Sequence, residues 1–188
     1  MILKRDGKGL FTFGMYERPR DDAEWKKWSS AGINLVCCSS REDLDKALEH
    51  GMFGWVPVPI IVKSDDDEAK LRARIEELKG HPALAIWEGP DEAVWWASRL
   101  KPGTPTRLWI QDADAVSTVE GKLDELVHGY ARGSAIVREL DPGRPIWQNE
   151  SGSNQSALAR ISTYLDIIGF DGYPVPGRVD KPTQHLYR

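Results

Sequence analysis

The sequence predicts an α/β fold of parallel strands and crossover helices, arranged as an incomplete (β/α)8 barrel of about six βα units. Short apolar, β-branched runs alternate along the chain with segments of helical periodicity. The apolar runs are nearly continuous, which is typical of strands that helices cover. Polar and aromatic residues follow several of these runs, at the strand ends where parallel α/β proteins carry their functional residues.

The composition fits one soluble globular domain covering residues 1–188. The chain has 25 basic and 29 acidic residues and a formal net charge of −4. This mild acidity, without a dense run of Lys or Arg, argues against nucleic acid as a partner. No apolar run approaches the ~20 residues that span a bilayer, and the opening segment lacks the apolar core of a signal peptide. The sequence therefore predicts no membrane partner, and it leaves open a secreted or periplasmic parent protein.

The six predicted strands are the apolar runs 10–16, 33–38, 53–62, 83–87, 144–148 and 166–171. Two prolines, Pro57 and Pro59, interrupt the third run, so we expect that strand to be short or irregular. Helices are predicted to start at residues whose side chains can cap them, which are Asp21 or Asp22, Ser40, Ser64, and Ser153 or Asn154. Glycines follow the first three of these helices, at Gly32, Gly51 and Gly80.

The region between the fourth and fifth predicted strands is the least regular. Residues 89–117 are rich in Trp, Pro and Gly, and residues 106–110 form a candidate extra strand. A long helix with an apolar face around Leu126 and Tyr130 then runs to the turn at residues 141–143. The sequence contains no linker that would divide the chain into two domains.

An open doubly wound sheet and a (β/α)8 barrel both fit this alternation. No Gly-rich phosphate loop G-x-G-x-x-G follows the first strand, since Gly7 and Gly9 precede it. The nucleotide signal of the doubly wound fold is therefore absent, and no cofactor is predicted. A complete barrel needs eight βα units and usually ~250 residues, so this chain is short for one. We predict parallel strands in sequential order, curved as a partial barrel.

Metal and thiol chemistry are not indicated. None of the four His residues is spaced for a metal site, so no metal is predicted. Cys37 and Cys38 are adjacent within a predicted strand, where neighbouring side chains point to opposite faces. We interpret them as inert thiols rather than as a disulfide.

Acidic, amide and aromatic residues recur at the C-terminal ends of four predicted strands. Because the ends of parallel strands meet at one edge of a sheet, these residues should line one cleft. The chain has eight Trp residues, whose flat indole rings suit the apolar faces of sugars, although some of them are expected to fill the core. The predicted substrate contacts are Tyr16, Glu17, Trp87, Asp91, Trp95, Trp96, Trp147, Asn149, Glu150, Asp171 and Tyr173.

The segments WEGPDE after HPALAI, ELDPGRPIWQNE and DIIGFDGYPVP resemble the TIM-barrel glycoside hydrolases of clan A, and most of all bacterial members with a DE motif after strand four. The resemblance implies hydrolysis of O-glycosyl bonds in a carbohydrate substrate, by a Glu acid/base after strand four and a Glu nucleophile after strand seven. The acid/base position falls on Glu92, and Asp91 stands where the clan usually has the Asn that binds the sugar 2-OH. Tyr173 falls where members often place a Tyr beside the nucleophile, and its alternative is a turn aromatic before Pro174.

Glycoside cleavage needs one protonated carboxylic acid at the leaving oxygen and a second carboxylate across the sugar. Desolvation by the neighbouring tryptophans and the like charge of Asp91 would keep a proton on Glu92. Glu88 is the rival acid, or a buried group that orients its neighbours. Pro90, Asp91 and Glu92 also fit the first turn of a helix, which is the purely structural alternative.

Two further questions stay open at this point. Glu150 belongs to an Asn-Glu dipeptide that also matches the clan's acid/base, although its place after strand five favours a substrate contact. No candidate nucleophile lies between strand six and Arg188, so we expect a fragment of a longer enzyme. The alternative is a non-catalytic barrel that binds carbohydrate. No pattern in the sequence defines the sugar, the linkage, the stereochemical outcome or the oligomeric state.

Overall fold

The computed structural model describes residues 4–5, 7–100, 113–151 and 154–170. Its elements, in chain order, are β1 (Lys4–Arg5), β2 (Lys8–Gly9), β3 (Gly14–Met15), α1 (Asp22–Ser30), β4 (Leu35–Cys37), α2 (Arg41–Glu49), β5 (Phe53–Pro57), α3 (Asp65–Leu78), β6 (Leu84–Glu88), α4 (Ala93–Ala97), α5 (Ala113–Leu140), β7 (Ile146–Glu150), α6 (Gln155–Ser162) and β8 (Ile167–Phe170). The strands β1 and β2 pair as a small antiparallel hairpin, and β3 to β8 form a separate six-stranded sheet.

The six-stranded sheet follows chain order from β3 to β8, and every neighbouring pair of strands is parallel. Sequential parallel order with crossover helices is the arrangement of a barrel, whereas the strand order of a doubly wound sheet reverses. The strands form a curled half-barrel, which is an incomplete TIM-barrel-like α/β fold. The structure therefore confirms the predicted fold class.

Local capping signals account for the starts of four helices. The side chains of Asp21, Ser40, Ser64 and Asn154 each accept a hydrogen bond from a backbone N–H in the first turn of the helix that follows. These contacts satisfy N–H groups that have no partner within the helix. The predicted starts of α1, α2, α3 and α6 are confirmed.

The third predicted run, residues 53–62, gives a shortened strand, as its two prolines led us to expect, since β5 ends at Pro57. Pro57 still pairs with Glu88, and the N–H of Val58 donates to the Glu88 carbonyl at 2.8 Å, but Pro59 has no N–H with which to continue the ladder. The chain beyond Pro57 instead packs against α5. That helix lies so close that a Cβ atom at Gly133 would stand 1.8 Å from the carbonyl oxygen of Ile60. Only glycine permits this contact.

The two faces of the sheet carry separate cores. Val36, Val56 and Trp87 point toward the helices and belong to the large core that packs between helices and sheet. Leu35, Trp55 and Ile86 form a smaller cluster on the opposite face, which we call the concave face. Because side chains alternate along a strand, adjacent residues separate onto these two faces.

Two parts of the predicted pattern differ from the structure or fall outside it. A helix start at Pro90, Asp91 and Glu92 was predicted only as the structural alternative to catalysis, and the short helix α4 begins just after these residues, at Ala93. The predictions at residues 106–110, Ser153, Asp171 and Tyr173 lie outside the described residues. None of the helices that the structure describes combines the length and apolarity needed to cross a bilayer.

Candidate functional site

The C-terminal ends of β3 to β8 form one edge of the sheet, which we call the mouth. On the concave face of the mouth lies the carboxyl group of Glu88, the last residue of β6, whose exposed fraction is 3%. It accepts hydrogen bonds from the Tyr16 hydroxyl and, at 3.0 Å, from Nε1 of Trp55. Trp147 completes an aromatic wall, because its ring centroid lies 6.1 Å from that of Tyr16 and 5.3 Å from that of Trp55.

The environment of Glu88 favours its neutral form. Burial raises the pKa of this carboxyl group, and the charge of Asp91 raises it further, while the hydrogen bonds from Tyr16 and Trp55 oppose the shift. Burial and the contact with Glu88 also raise the pKa of Tyr16 well above its usual value. Tyr16 therefore stays a neutral hydrogen-bond donor at physiological pH.

The loop between β6 and α4 contains Glu92 and is hydrogen-bonded to the backbone of β7. The N–H of Gly89 donates to the carbonyl of Trp147 at 2.8 Å, and the N–H of Glu92 donates to the carbonyl of Asn149 at 3.0 Å. These bonds extend the sheet pairing beyond the end of β6. The loop is therefore fixed by the neighbouring strand rather than by its own residues alone.

Side chains of β7 hold the same loop. Nε2 of Gln148 donates to the carbonyl of Pro90, and Nδ2 of Asn149 donates to Oδ1 of Asp91 at 3.0 Å. The hydroxyl of Tyr130 on α5 donates to Oε1 of Gln148, so this amide is itself oriented from the helix side. A Cβ atom at Gly89 would lie 2.1 Å from the Gln148 oxygen, which explains the glycine at that position.

Glu92 has an unusual backbone conformation. Its φ of 50° and ψ of 36° lie in the left-handed region, and no other non-glycine residue in the described part of the chain has a positive φ. Such a conformation costs on the order of 1–3 kcal/mol and clusters at functional sites. Pro90, Asp91 and Glu92 precede α4 rather than forming its first turn. Glu92 is nevertheless the N-cap residue of α4, and its carbonyl accepts from the N–H of Trp96 at 3.0 Å, so the loop does lead into a helix start, a few residues later than the structural alternative placed it.

Glu150 ends β7 and faces the helices instead of the concave face. Its carboxyl group is 1% exposed and accepts hydrogen bonds from the N–H of Val94 at 2.9 Å and from the N–H of Trp95. Burial, and then the charge of Glu92, raise the pKa of Glu150 to about 7, although its hydrogen bonds act in the opposite direction. This enclosed position is separated from the concave face by the sheet, so we leave Glu150 out of the sugar contacts.

Trp87 also faces the helices. It is fully buried in the large core, and its Nε1 donates to Oδ2 of Asp141 at 3.0 Å. A ligand on the concave face would be separated from this indole by the sheet. The prediction treated Trp87 and Glu88 as members of one cluster, but the alternation of side chains along β6 places them on opposite faces.

The remaining predicted residues lie around the mouth. Glu17 is exposed beyond β3, and Asp91 is exposed in the loop before α4. On α4, the rings of Trp95 and Trp96 meet edge to face with centroids 4.7 Å apart, and the guanidinium of Arg99 lies 3.4 Å from the centroid of Trp95. Trp96 is 54% exposed, and the guanidinium of Arg99 also lies over its ring, 5.1 Å from the centroid.

Sequence reasoning missed two residues of this region, Trp55 and Gln148. Trp55 stands next to Val56, which faces the helices. The alternation of side chains along a strand therefore indicated that Trp55 lies on the concave face. Gln148 is a fully buried amide in the middle of β7. A buried polar side chain needs hydrogen-bond partners, and Gln148 finds them in the loop before Glu92.

The described residues include no group of three or more His, Cys, Asp or Glu side chains placed to hold a metal ion. Both cysteines are free, and burial is the main cause that raises the pKa of Cys37 to about 11 and that of Cys38 to about 12. Thiols with such pKa values remain protonated and unreactive near neutrality, as predicted.

Comparison with solved structures identifies the class of protein that shares this fold. A β-glucuronidase from Bacteroides uniformis superposes with a TM-score of 0.66 and 18% identity, over 93% of this chain and 22% of that one. A β-galactosidase from the psychrophilic Marinomonas ef1 gives 0.62 and 13%, over 87% and 41%. A β-galactosidase from the haloarchaeon Halorubrum lacusprofundi gives 0.60 and 15%, over 87% and 40%.

The structural neighbours are thus glycoside hydrolases, and the chain has part of their barrel fold. It spans about a fifth to two fifths of the length of these neighbours. No protein-family model and no curated protein matches the sequence. At these low identities the likeness concerns the fold alone.

Proposed function

We propose that the protein is a carbohydrate-active barrel that hydrolyses O-glycosyl bonds in its complete form, with Glu92 as the general acid/base. The observation that carries this proposal is the position of Glu92 in a left-handed turn that hydrogen bonds from β7 hold at the mouth. Strained backbone at a sheet edge with adjacent carboxylates is the type of position in which enzymes place reacting groups.

In this mechanism the proton moves from the Glu92 carboxyl group to the glycosidic oxygen while the bond from that oxygen to the sugar C1 breaks. A second carboxylate or an activated water then attacks C1, and the group that supplies it is not identified among the described residues. Nδ2 of Asn149 donates to the carboxylate of Asp91, and in this proposal Asp91 accepts a hydrogen bond from a sugar hydroxyl. Asp171 and Tyr173 remain predicted contacts.

The aromatic wall supplies the sugar-binding surface in this proposal. Tyr16 is exposed and Trp147 is partly buried, their ring centroids lie 6.1 Å apart, and aromatic faces of this kind pack against the C–H face of a sugar. Glu88 lies beneath them and orients Tyr16 through their hydrogen bond. Trp96 follows Glu92 in the chain and is exposed. In this proposal it offers a second stacking surface, for the leaving group.

A non-catalytic carbohydrate-binding barrel is the second candidate. The three rings of the aromatic wall, Tyr16, Trp55 and Trp147, contact one another, and stacking needs no reacting carboxylates. Binding without hydrolysis would then be the function of the mouth.

The two candidates are separated by a leaving-group series of glycosides, measured with the longest form of the protein that its gene encodes. For Glu92→Gln we expect kcat/KM to fall by about 10²–10⁴-fold with poor leaving groups and to change little with activated aryl leaving groups. Glu88→Gln is the matched control, and it should show no dependence on the leaving group.

Equal losses across the series for Glu92→Gln would remove Glu92 from the acid role, and a leaving-group dependence in Glu88→Gln would transfer that role to Glu88. Sugar binding by calorimetry without hydrolysis, lost in Trp147→Ala, would favour the binding candidate.

A further inference from the structure

Four consecutive residues of β7 contact the segment that follows β6, three of them the loop before α4 and the fourth the first turn of α4. Trp147 and Asn149 hold it through their backbone carbonyls, and Gln148 and Asn149 hold it through their side chains. Glu150 is the last of the four, and its carboxyl group reaches past Glu92 to the first turn of α4. The strained turn at Glu92 therefore lies between two groups of contacts that come from the same strand.

We propose that Glu150 is a positioning residue that acts through Glu92, because its enclosed carboxyl group holds the first turn of α4 and keeps Glu92 in its left-handed conformation. The structural part of this inference concerns the loop alone. Its catalytic consequence rests on the proposed function of Glu92.

The length of α4 explains why such a contact is needed. A helix of five residues gains little from cooperative propagation, and the N–H groups of its first turn have no partner within the helix. The Glu92 side chain at the N-cap does not satisfy them. Glu150 accepts from the N–H groups of Val94 and Trp95, which are two of these donors. A left-handed residue persists only where the surrounding structure fixes it. Asn149 fixes the backbone N–H of Glu92 itself, and Glu150 fixes the turn of α4 that follows it.

The charged and titratable groups around Glu150 come from two neighbouring elements. Glu92 faces it from the loop before α4, and Tyr130 faces it from α5, where the charge of Glu150 adds to burial in raising the pKa of this tyrosine. The other polar neighbour is the neutral amide of Gln148, 3.2 Å from Oε1. With a pKa of about 7, Glu150 loses its proton near neutrality, and its contact with the two N–H donors strengthens as it does.

The first experiment measures the loop without any assay of activity. Amide NMR signals of Val94 and Trp95 are followed from about pH 5 to about pH 9 in the wild type and in Glu150→Gln. We expect both amides to titrate with a midpoint near 7 in the wild type and not to titrate in Glu150→Gln. Glu139→Gln, which removes an exposed carboxylate from α5, is the matched control and should behave as the wild type.

A second variant, Glu150→Ala, removes the acceptor altogether. We expect the Cα chemical shift of Glu92 to leave the value of a left-handed residue, with the rest of the spectrum folded. If Glu92 keeps its shift in Glu150→Ala, Glu150 does not hold this turn and the inference is wrong.

The catalytic consequence is tested with a double-mutant cycle on the longest gene product. Glu150→Gln should lower kcat by about 10- to 100-fold with little change in KM. Because Glu150 acts through Glu92, the double variant with Glu92→Gln should be no slower than Glu92→Gln alone. Additive losses would overturn the positioning role. If the wild type hydrolyses no glycoside, the proposed function fails, and the Cα shift of Glu92 in Glu150→Ala still decides whether Glu150 holds the loop.

Discussion

Glu88 and Glu150 are the last residues of neighbouring strands, and each is almost completely enclosed, yet they belong to different regions of the molecule. Glu88 lies on the concave face and receives hydrogen bonds from the side chains of Tyr16 and Trp55. Glu150 lies on the helix side and receives hydrogen bonds from backbone N–H groups of α4. Burial raises the pKa of both carboxyl groups.

The comparison teaches that burial and a raised pKa do not by themselves identify a reacting group. What separates the two residues is the face of the sheet, because Glu88 lies beside the aromatic wall on the concave face and Glu150 lies in the packed interface between the sheet and the helices. The nature of the donors separates them as well. The donors to Glu88 are aromatic side chains, whereas the donors to Glu150 are backbone N–H groups that fix the course of the chain.

The largest expected effect separates two tryptophans that stand on opposite faces. Trp87→Ala removes a fully enclosed indole and its bond to Asp141, so we expect the free energy of unfolding to fall by about 3–5 kcal/mol. Trp147 is only partly buried, so Trp147→Ala should cost clearly less and should instead weaken sugar binding. Urea unfolding and calorimetric binding measure the two effects. Equal destabilisation by the two variants would contradict the division of the faces.

The second prediction concerns the pH dependence of stability. Between about pH 4.5 and about pH 7 the unfolded chain ionises Glu150 while the folded protein keeps its proton. The free energy of unfolding of the wild type should therefore fall by about 3 kcal/mol over this window, relative to Glu150→Gln, and stay level above it.

Denaturant unfolding of both proteins at a series of pH values measures this difference. Relative to Glu88→Gln, the stability of the wild type should also fall as the pH rises, because burial raises the pKa of Glu88 too. A wild type that gains stability relative to Glu150→Gln as the pH rises would contradict the environment described for Glu150.

A pair of tyrosines gives the third prediction. Tyr16→Phe removes a donor to Glu88, so the pKa of Glu88 should rise further and stability should fall by about 1.5–3 kcal/mol above that pKa. Tyr130→Phe is the matched change on the helix side, where the hydroxyl donates to Gln148. It should leave the pKa of Glu88 unchanged. Carboxyl carbon NMR titration of Glu88 measures the shift, and equal shifts in both variants would show that the regions are not independent.

The smallest expected effect is at Asn149. Asn149→Ala removes the bond to the Asp91 side chain but leaves the backbone carbonyl that accepts from Glu92. We expect a loss of about 0.5–1.5 kcal/mol in the free energy of unfolding and no change in the Cα shift of Glu92. Loss of the left-handed shift would show that the side chain, and not the strand backbone, holds the turn.

Some features of the site followed from sequence patterns. The polar residues after the fourth and fifth predicted strands do reach one mouth, as the grouping of Asp91 with Asn149 shows. The helix caps at Ser40 and Ser64 were also legible, because capping depends on residues within one turn of each other. The sequence did not indicate which face of the sheet each residue at the mouth lies on. Trp87 and Glu150 were therefore assigned to the cleft, although they face the helices.

The alternation of apolar runs and helical segments, by itself, determined that this protein is a parallel α/β chain, since each strand and helix depends on residues close in sequence. Only the tertiary structure decided which alternate residues face the concave side, because that depends on how the whole sheet curls. It also decided the left-handed turn at Glu92, which exists through contacts with β7, more than fifty residues away in the chain. Strain of this kind has no local sequence signal, because the groups that hold it are brought together only by the pairing of β6 with β7.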